Sequence, residues 1–145
     1  MTNEYVYAGF WVRLVAMLID SLILGVLDGL LMVSLLGTDY LVMEGRVAHP
    51  YALFVTATIY LINFSYVAWF PSSSWQATPG KRIMGIQVIN TDGTRISFLK
   101  ALGRCTIGYL LSNITLFIGY LMIAFTAKKT ALYDKVFDTY VVYKE

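Results

Sequence analysis

Three ionisable residues stand inside one long apolar run of this sequence. Arg13, Asp20 and Asp28 all fall between Phe10 and Leu36. At 3.6 residues per turn, Arg13 and Asp20 share one helix face and lie about 10 Å apart along the axis. A charged side chain at the centre of a membrane helix costs about 2.5–3.5 kcal/mol on insertion scales. Each of these residues therefore needs a partner, water or, for the acids, a bound proton or cation.

Two interpretations of the acids remain open. In the first, Asp20, together with Asp28, binds a cation or proton in a polar pathway, because ionisable residues within membranes are by default candidates for a functional site. In the second, Asp20 accepts structural hydrogen bonds from Asn63, Tyr60 or a neighbouring subunit. Asp28 would then lie near the outer face. Asn63 stands mid-way along the second apolar run, where an amide commonly joins two helices.

The elements that carry these residues have the composition of membrane spans. Hydrophobic residues make up 58% of the 145 residues and charged residues 14%, whereas soluble domains average about 45–50% and about 25%. Phe10–Leu36 and Tyr51–Phe70 are each long enough to cross a hydrocarbon core of about 30 Å. The first run lacks a basic n-region and a cleavage site, so we expect a retained transmembrane helix. The length suits a single membrane domain, residues 1–145.

A third apolar stretch, Phe98–Ala127, can be interpreted in two ways. Ser112 and Asn113 interrupt it near the middle. It forms either one long span or a hairpin of two short helices. Residues Pro71–Arg104 hold five basic side chains against one acidic side chain, so the positive-inside rule places this segment and the N-terminus in the cytoplasm. The tail is also rich in lysine, which favours the hairpin because a single span would place the tail outside.

The polar part of the chain predicts a small amount of β-structure outside the bilayer. Hydrophobic and polar residues are interspersed from Gly85 to Ser97, and a turn signal stands at Asn90–Gly93. This pattern predicts a short cytoplasmic β-hairpin. Thr139–Tyr143 is typical of a further strand. The expected fold class is therefore an all-α membrane bundle with two full spans, a third long apolar segment and a small β-hairpin.

Several classes of function lack support in the sequence. The net charge of +2 gives no electrostatic case for nucleic-acid binding. Cys105 is the single cysteine and His49 the single histidine, so neither a metal site nor a haem is expected, and we predict no cofactor. Gly80-Lys81 is not a phosphate-binding loop, because Trp75 stands at the position of its first glycine. No nucleophile and base stand out as a pair, so we do not expect an enzyme.

Three motifs in order resemble the RDD family of small bacterial integral membrane proteins. The first runs from Ala8 to Leu14 and on to Asp20. The second is Thr78–Val88. The third is Ala131–Asp134, followed by Thr139–Val142. The sequence departs from the family pattern at Tyr133, where His or Gly is common, and at Asp138, where a small residue is common. Asp28 is not part of that pattern.

The resemblance implies that Arg13, Asp20 and Asp134 are the arginine and two aspartates that name the family. If the three form one site, Asp134 must reach the inner end of the first helix, which again requires a cytoplasmic tail. The resemblance then implies that Asp134 anchors Arg13 while Asp20 lies deeper. It also implies a small helical membrane domain and makes transport the first function to consider.

Two functions compete at this stage. The first is transport of a cation, proton or small solute through a polar site around Arg13 and Asp20 in the bacterial inner membrane. Because so few spans can hardly enclose a pore, this function requires a homo-oligomer, and Gly25 and Gly29 form a GxxxG pattern typical of close helix packing. The alternative is a non-catalytic scaffold or interaction subunit, in which the arginine and the aspartates are structural. The candidate residues are Arg13, Asp20, Asp134, Asn63 and Asp28.

Overall fold

The structure, a computed structural model, describes residues 5–38, 51–114 and 123–144. Its helices are α1 (Phe10–Leu36), α2 (Ala52–Ser72), α3 (Pro79–Ile83), α4 (Phe98–Ile114) and α5 (Leu132–Val136). Its strands are β1 (Ile86–Asn90) and β2 (Thr139–Tyr143). The prediction of a mostly helical protein is confirmed.

Helices α1 and α2 are the two elements able to cross a membrane among the residues that the structure describes. They contain 27 and 21 residues, and only 11% of the most apolar part of each is buried. A helix in the core of a soluble protein would be mostly buried. Here large apolar side chains such as Leu22, Leu30 and Leu53 remain exposed. These surfaces suit lipid, because a soluble monomer rarely exposes so large a continuous apolar area.

The strand prediction is confirmed for the tail, and the predicted hairpin is confirmed in its first strand and its turn but not in a second strand. Strand β1 pairs antiparallel with β2, with Val88 opposite Val141. The return segment after the turn forms only an isolated bridge between Ile89 and Arg95. That segment must enter α4 two residues after Ile96, so it is too short to form a strand, whereas β2 offers five residues of strand-forming type.

A compact core lies where the sheet meets the first turns of α1. It contains Ala8 and Ala16 from the N-terminal segment and α1, and Val88 and Val141 from the strands. The N–H of Ala8 donates to the Val141 carbonyl at 2.9 Å. We call this end of the molecule, with the start of α1, helices α3 and α5 and both strands, the sheet end.

Both ends of the third apolar segment lie at the sheet end. Arg104, near its start, forms an ion pair with Asp134, which follows its end. The predicted pair of short helices falls partly on residues 115–122, which lie outside the described residues. Helix α4 accounts for the first half of the segment, and residues 123–125 are again helical.

Candidate functional site

Arg13 is the first predicted residue with a complete set of partners. Its side chain is 3% exposed although it lies in the second turn of α1. Its Nη1 donates to Oδ2 of Asp134 at 2.6 Å, its Nη2 to the Lys129 carbonyl at 2.6 Å and its Nε to the Ala8 carbonyl at 3.0 Å. The predicted contact between Arg13 and Asp134 is confirmed. The guanidinium joins α1, the preceding segment and the tail at one point.

Asp134 accepts hydrogen bonds on both carboxylate oxygens and is fully buried. Besides Arg13, the N–H of Ala131 donates to Oδ2 at 3.1 Å, which is half of a capping box at the start of α5. The other oxygen, Oδ1, accepts from Nη2 of Arg104. Burial opposes ionisation, yet the charges of Arg104 and Arg13 hold the pKa of Asp134 below the usual range of an aspartate. The group is therefore an ionised carboxylate between two arginines.

Arg104 is a member of this cluster that sequence reasoning missed. It is 7% exposed, and its guanidinium lies over the ring of Tyr133, 5.5 Å from the ring centre. Its Nε is buried and has no hydrogen-bond acceptor among the described residues. From the sequence, Arg104 was recognised only as one of five basic residues whose charge predicts a cytoplasmic position for Pro71–Arg104. One carboxylate facing two arginines leaves an excess of positive charge.

Asp20 forms a second cluster, with partners other than those expected. Its Oδ1 accepts from the Tyr66 hydroxyl at 2.9 Å and from the Gly80 N–H at 2.8 Å. Its Oδ2 accepts from the Thr78 hydroxyl at 2.5 Å. The expected donors, Asn63 and Tyr60, are not among them. Asp20 thus fastens α1 to α2 and to the start of α3.

Gly80 is required by the close approach of α3 to α1. A Cβ atom at this position would lie 2.2 Å from the Ala16 carbonyl oxygen and 2.8 Å from Cγ of Asp20. The side chain of Thr78 caps α3 by accepting from the Lys81 N–H at 3.5 Å, and Pro79 occupies the first helical position, where its missing N–H has no cost. The Thr-Pro-Gly sequence is therefore explained by the contact with Asp20.

Asp28 and Asn63 form a third pair, farther along the spanning helices. The Asn63 Nδ2 donates to both oxygens of Asp28, at 3.0 and 3.1 Å, and to the Ile59 carbonyl at 2.9 Å. Asp28 is eight residues beyond Asp20, which is about 12 Å along the helix axis. Within the described ranges, no basic side chain forms an ion pair with Asp28. Among the same residues, the side-chain partner of its carboxylate is a neutral amide.

A cavity of about 820 Å³ connects this pair with the sheet end. Asp28 and Asn63 line it at one level, and Lys81 and Arg104 line it at the level of α3. Apolar residues of α2 form much of the wall between them, because Ile59, Phe64 and Val67 all border the cavity. The volume is within the range of about 300–1,000 Å³ that is typical of small-molecule sites.

A comparison with known protein families bears on the three motifs and on the contact between Arg13 and Asp134. A family model described as the RDD family matches residues 7–138. The chain belongs to the RDD family. We refer below to Arg13, Asp20 and Asp134 as the RDD residues.

The similar curated proteins come from Bacillus subtilis (strain 168). Uncharacterized protein YxaI is 34% identical, with 94% of this chain and 97% of the relative covered. Uncharacterized protein YckC is 31% identical, with coverage of 97% and 87%. Uncharacterized membrane protein YteJ is 27% identical, with coverage of 97% and 84%. No solved structure matches the chain.

The RDD residues occupy two neighbouring clusters and do not line the cavity. Arg13 and Asp134 form one cluster. Asp20, also on α1, forms the other by accepting a hydrogen bond from Gly80 of α3. The other two predicted residues, Asp28 and Asn63, form a pair that lines the cavity. Among the described residues, no group of three His, Cys, Asp or Glu side chains converges as a metal site would require.

Proposed function

We propose that this RDD protein binds a small solute in the cavity and moves it across the bacterial inner membrane, with Asp28 as the acceptor of a proton or cation. One observation carries this proposal: Asp28 lies inside a membrane helix, borders the cavity and, among the residues that the structure describes, is paired only with the Asn63 amide. Ionisable residues in such positions mark ion and proton pathways. The proposal keeps transport as the function and moves its centre from Asp20 to Asp28.

The chemistry of Asp28 suits reversible ion binding. A carboxylate in an apolar setting is costly unless it is protonated or neutralised by a cation. Asn63 donates hydrogen bonds to the carboxylate from its amide nitrogen but carries no charge that would neutralise it. An ion held at Asp28 would share the cavity with the solute, and we propose that this proximity couples the movement of the two.

The RDD residues have a mechanical role in this proposal. The oxygens of Asp20 and Asp134 each accept hydrogen bonds, and the three guanidinium nitrogens of Arg13 each donate one. Groups engaged in this way hold helices together and offer no vacant position for a passing ion. We propose that they lock the sheet end onto α1, so that the cavity keeps its basic lining.

We further propose a cytoplasmic sheet end and a multi-pass topology. The supporting observations are the basic residues of Pro71–Arg104 and the ion pair of Arg104 with Asp134, which returns the chain to its starting end. The N-terminus, the residues from Pro71 to Arg104 and the tail then share the cytoplasmic side, in accord with the positive-inside rule. The third apolar segment is a hairpin of two short helices in this arrangement.

A homo-oligomer completes the proposal. Two full spans and a hairpin leave wide apolar faces exposed on α1 and α2. Gly25 is exposed, and a Cβ atom added there would meet nothing within 4 Å, so this position has room for a close helix neighbour. Small residues allow helix backbones to approach each other in membranes. We propose no enzymatic activity and no cofactor.

The test is ion flux in liposomes that contain the purified protein. A pH-sensitive dye inside the liposomes reports protons while sodium or potassium gradients are imposed. We expect flux with the wild-type protein, none with Asp28→Asn and retained flux with Asp28→Glu, which keeps the acid. Asp92→Asn, in an exposed turn, is the control for loss of one negative charge. Full flux through Asp28→Asn would overturn the proposal.

A scaffold is the second candidate, and the engagement of the RDD residues favours it. Each of the three holds separate elements together, as a structural role requires. A scaffold has no flux of any ion in the liposome assay. Its Asp28→Asn variant would retain partner binding, and only variants that loosen the sheet end would lose it.

A further inference from the structure

The basic end of the cavity carries more positive charge than its acidic neighbour balances. The charges that act on Lys81 are those of Arg104, Arg13 and Asp134, with the Cys105 thiol also close. Three cations thus face one carboxylate. Both oxygens of that carboxylate already accept from the arginines, so no oxygen of Asp134 is left wholly for Lys81.

Lys81 is the unpaired member of this group. Among the described residues, its ammonium has no hydrogen-bond or ion-pair partner, and it borders the cavity. Burial and the neighbouring Arg104 lower the pKa of Lys81 to about 8. The side chain is therefore still mainly charged at neutral pH. Lys81 is half-buried, and a charge that is partly removed from water without a partner is costly. An anion in the cavity would remove that cost.

Arg104 supplies the second half of an anion site. It borders the cavity beside Lys81, and its Nε is a buried donor without an acceptor among the described residues. A guanidinium next to an ammonium is a pairing well suited to phosphate, which carries a charge of about −1.5 to −2 as a monoester and accepts several hydrogen bonds.

The wall beyond these two cations is apolar, which constrains the rest of the ligand. Ile59 and Val67 lie eight residues apart on one face of α2, and both border the cavity together with Phe64. Eight residues cover about 12 Å of helix. A small polar phosphate compound would leave this wall in contact with water, whereas an alkyl chain would cover it.

We infer that Lys81 and Arg104 bind the phosphate of a single-chain anionic lipid, whose chain lies along the α2 wall of the cavity toward Asp28. This inference rests on the proposed function, since it names the class of solute that the cavity takes. It assigns the head of the ligand to the sheet end and the chain to the membrane interior. Asp28 stays the ion-binding group at the other end.

The probe is lysophosphatidic acid, compared with lysophosphatidylcholine of the same chain and with inorganic phosphate. Native mass spectrometry in a neutral detergent measures binding to the purified protein. We expect the anionic lipid to bind at least about tenfold more tightly than the zwitterionic one, the effect of one charge-assisted hydrogen bond. Millimolar inorganic phosphate should not compete. Equal binding of the two lipids, or displacement by phosphate alone, would overturn the inference.

Matched variants assign the preference to Lys81. Lys81→Gln should lose it, Lys81→Arg should keep it, and Arg82→Gln, an equal change of charge at an exposed neighbouring residue that stacks on Trp75, should also keep it. A preference that survives Lys81→Gln would contradict the site. Binding is measured without a gradient, so Asp28→Asn should retain it. Flux that survives Asp28→Asn would refute only the transport proposal. A wild-type protein that shows no preference for the anionic lipid would refute only the lipid site.

Discussion

Replacing Asp134 by asparagine should destabilise the protein strongly, because it leaves buried arginines without their carboxylate. Asp134 is fully buried and forms ion pairs with both Arg13 and Arg104. Removing one partner of a buried ion pair costs about 3–5 kcal/mol, since the remaining charge stays desolvated. Asparagine keeps the shape of the side chain, but its NH2 group meets an arginine donor where an oxygen stood.

The magnitude can be read from thermal unfolding in a neutral detergent. For a domain of this size, about 1 kcal/mol corresponds to a shift of roughly 3 °C, so Asp134→Asn should lower the Tm by about 9–15 °C. Asp138→Asn is the matched control. Asp138 is exposed and has φ of 46°, a conformation that asparagine tolerates, so its change should stay within about 0.5 kcal/mol. Equal Tm values for the two variants would refute the role of Asp134.

A double-mutant cycle separates the ion pair from other effects of the substitution. Arg13→Gln and Asp134→Asn remove the two partners singly and together. The double variant should be less destabilised than the sum of the single variants, because Asp134→Asn alone leaves Arg13 as a buried charge without its carboxylate, whereas the double variant has no charge at position 13. Strict additivity would show that the two residues stabilise the fold independently, against the contact seen here.

Three further predictions follow from the other clusters. Gly80→Ala should destabilise the protein by about 1–3 kcal/mol or more, because its Cβ would meet the Ala16 carbonyl at 2.2 Å. An unchanged Tm in Gly80→Ala would speak against the close contact. Asp20→Asn should lower stability by roughly 1–2 kcal/mol, since charge-assisted hydrogen bonds become neutral ones, and an unchanged Tm would mean that these bonds contribute nothing. Between pH 7.5 and 9.5, lysophosphatidic acid should bind more weakly as the pH rises through about 8, the pKa of Lys81, because the ammonium loses its proton. Lys81→Arg should abolish this dependence, and affinity that does not vary with pH in the wild-type protein would contradict a lowered pKa of Lys81.

The sequence predicts the spans and the pairing of Arg13 with Asp134, and the reasons differ. The spans follow from local composition. The pairing follows from family resemblance, because nothing local connects residues 121 positions apart. Arg104 could not be found in either way. It is one of several basic residues near a helix start, and only the packing of α4 against α5 buries it.

The partners of Asp20 and the pairing of β1 depend on contacts between distant parts of the chain. Two of the donors to Asp20 come from the turn at Thr78 and Gly80, 58 and 60 residues away. The sequence gives a strong signal for a local turn near Gly93, which favours a hairpin. It gives no signal that β2, from the tail, supplies the partner strand. Helix periodicity places Asp28 and Asn63 in spans without showing that they face one another.

The most direct measurement compares two carboxylates of α1 in the same liposome flux assay. Asp28→Asn and Asp20→Asn each remove one charge from one helix, eight residues apart, and the amount of folded protein in each preparation is measured first. The account predicts no flux with Asp28→Asn and wild-type flux per folded molecule with Asp20→Asn. Lost flux with a folded Asp20→Asn protein, together with full flux through Asp28→Asn, would contradict it and place the pathway at the RDD residues.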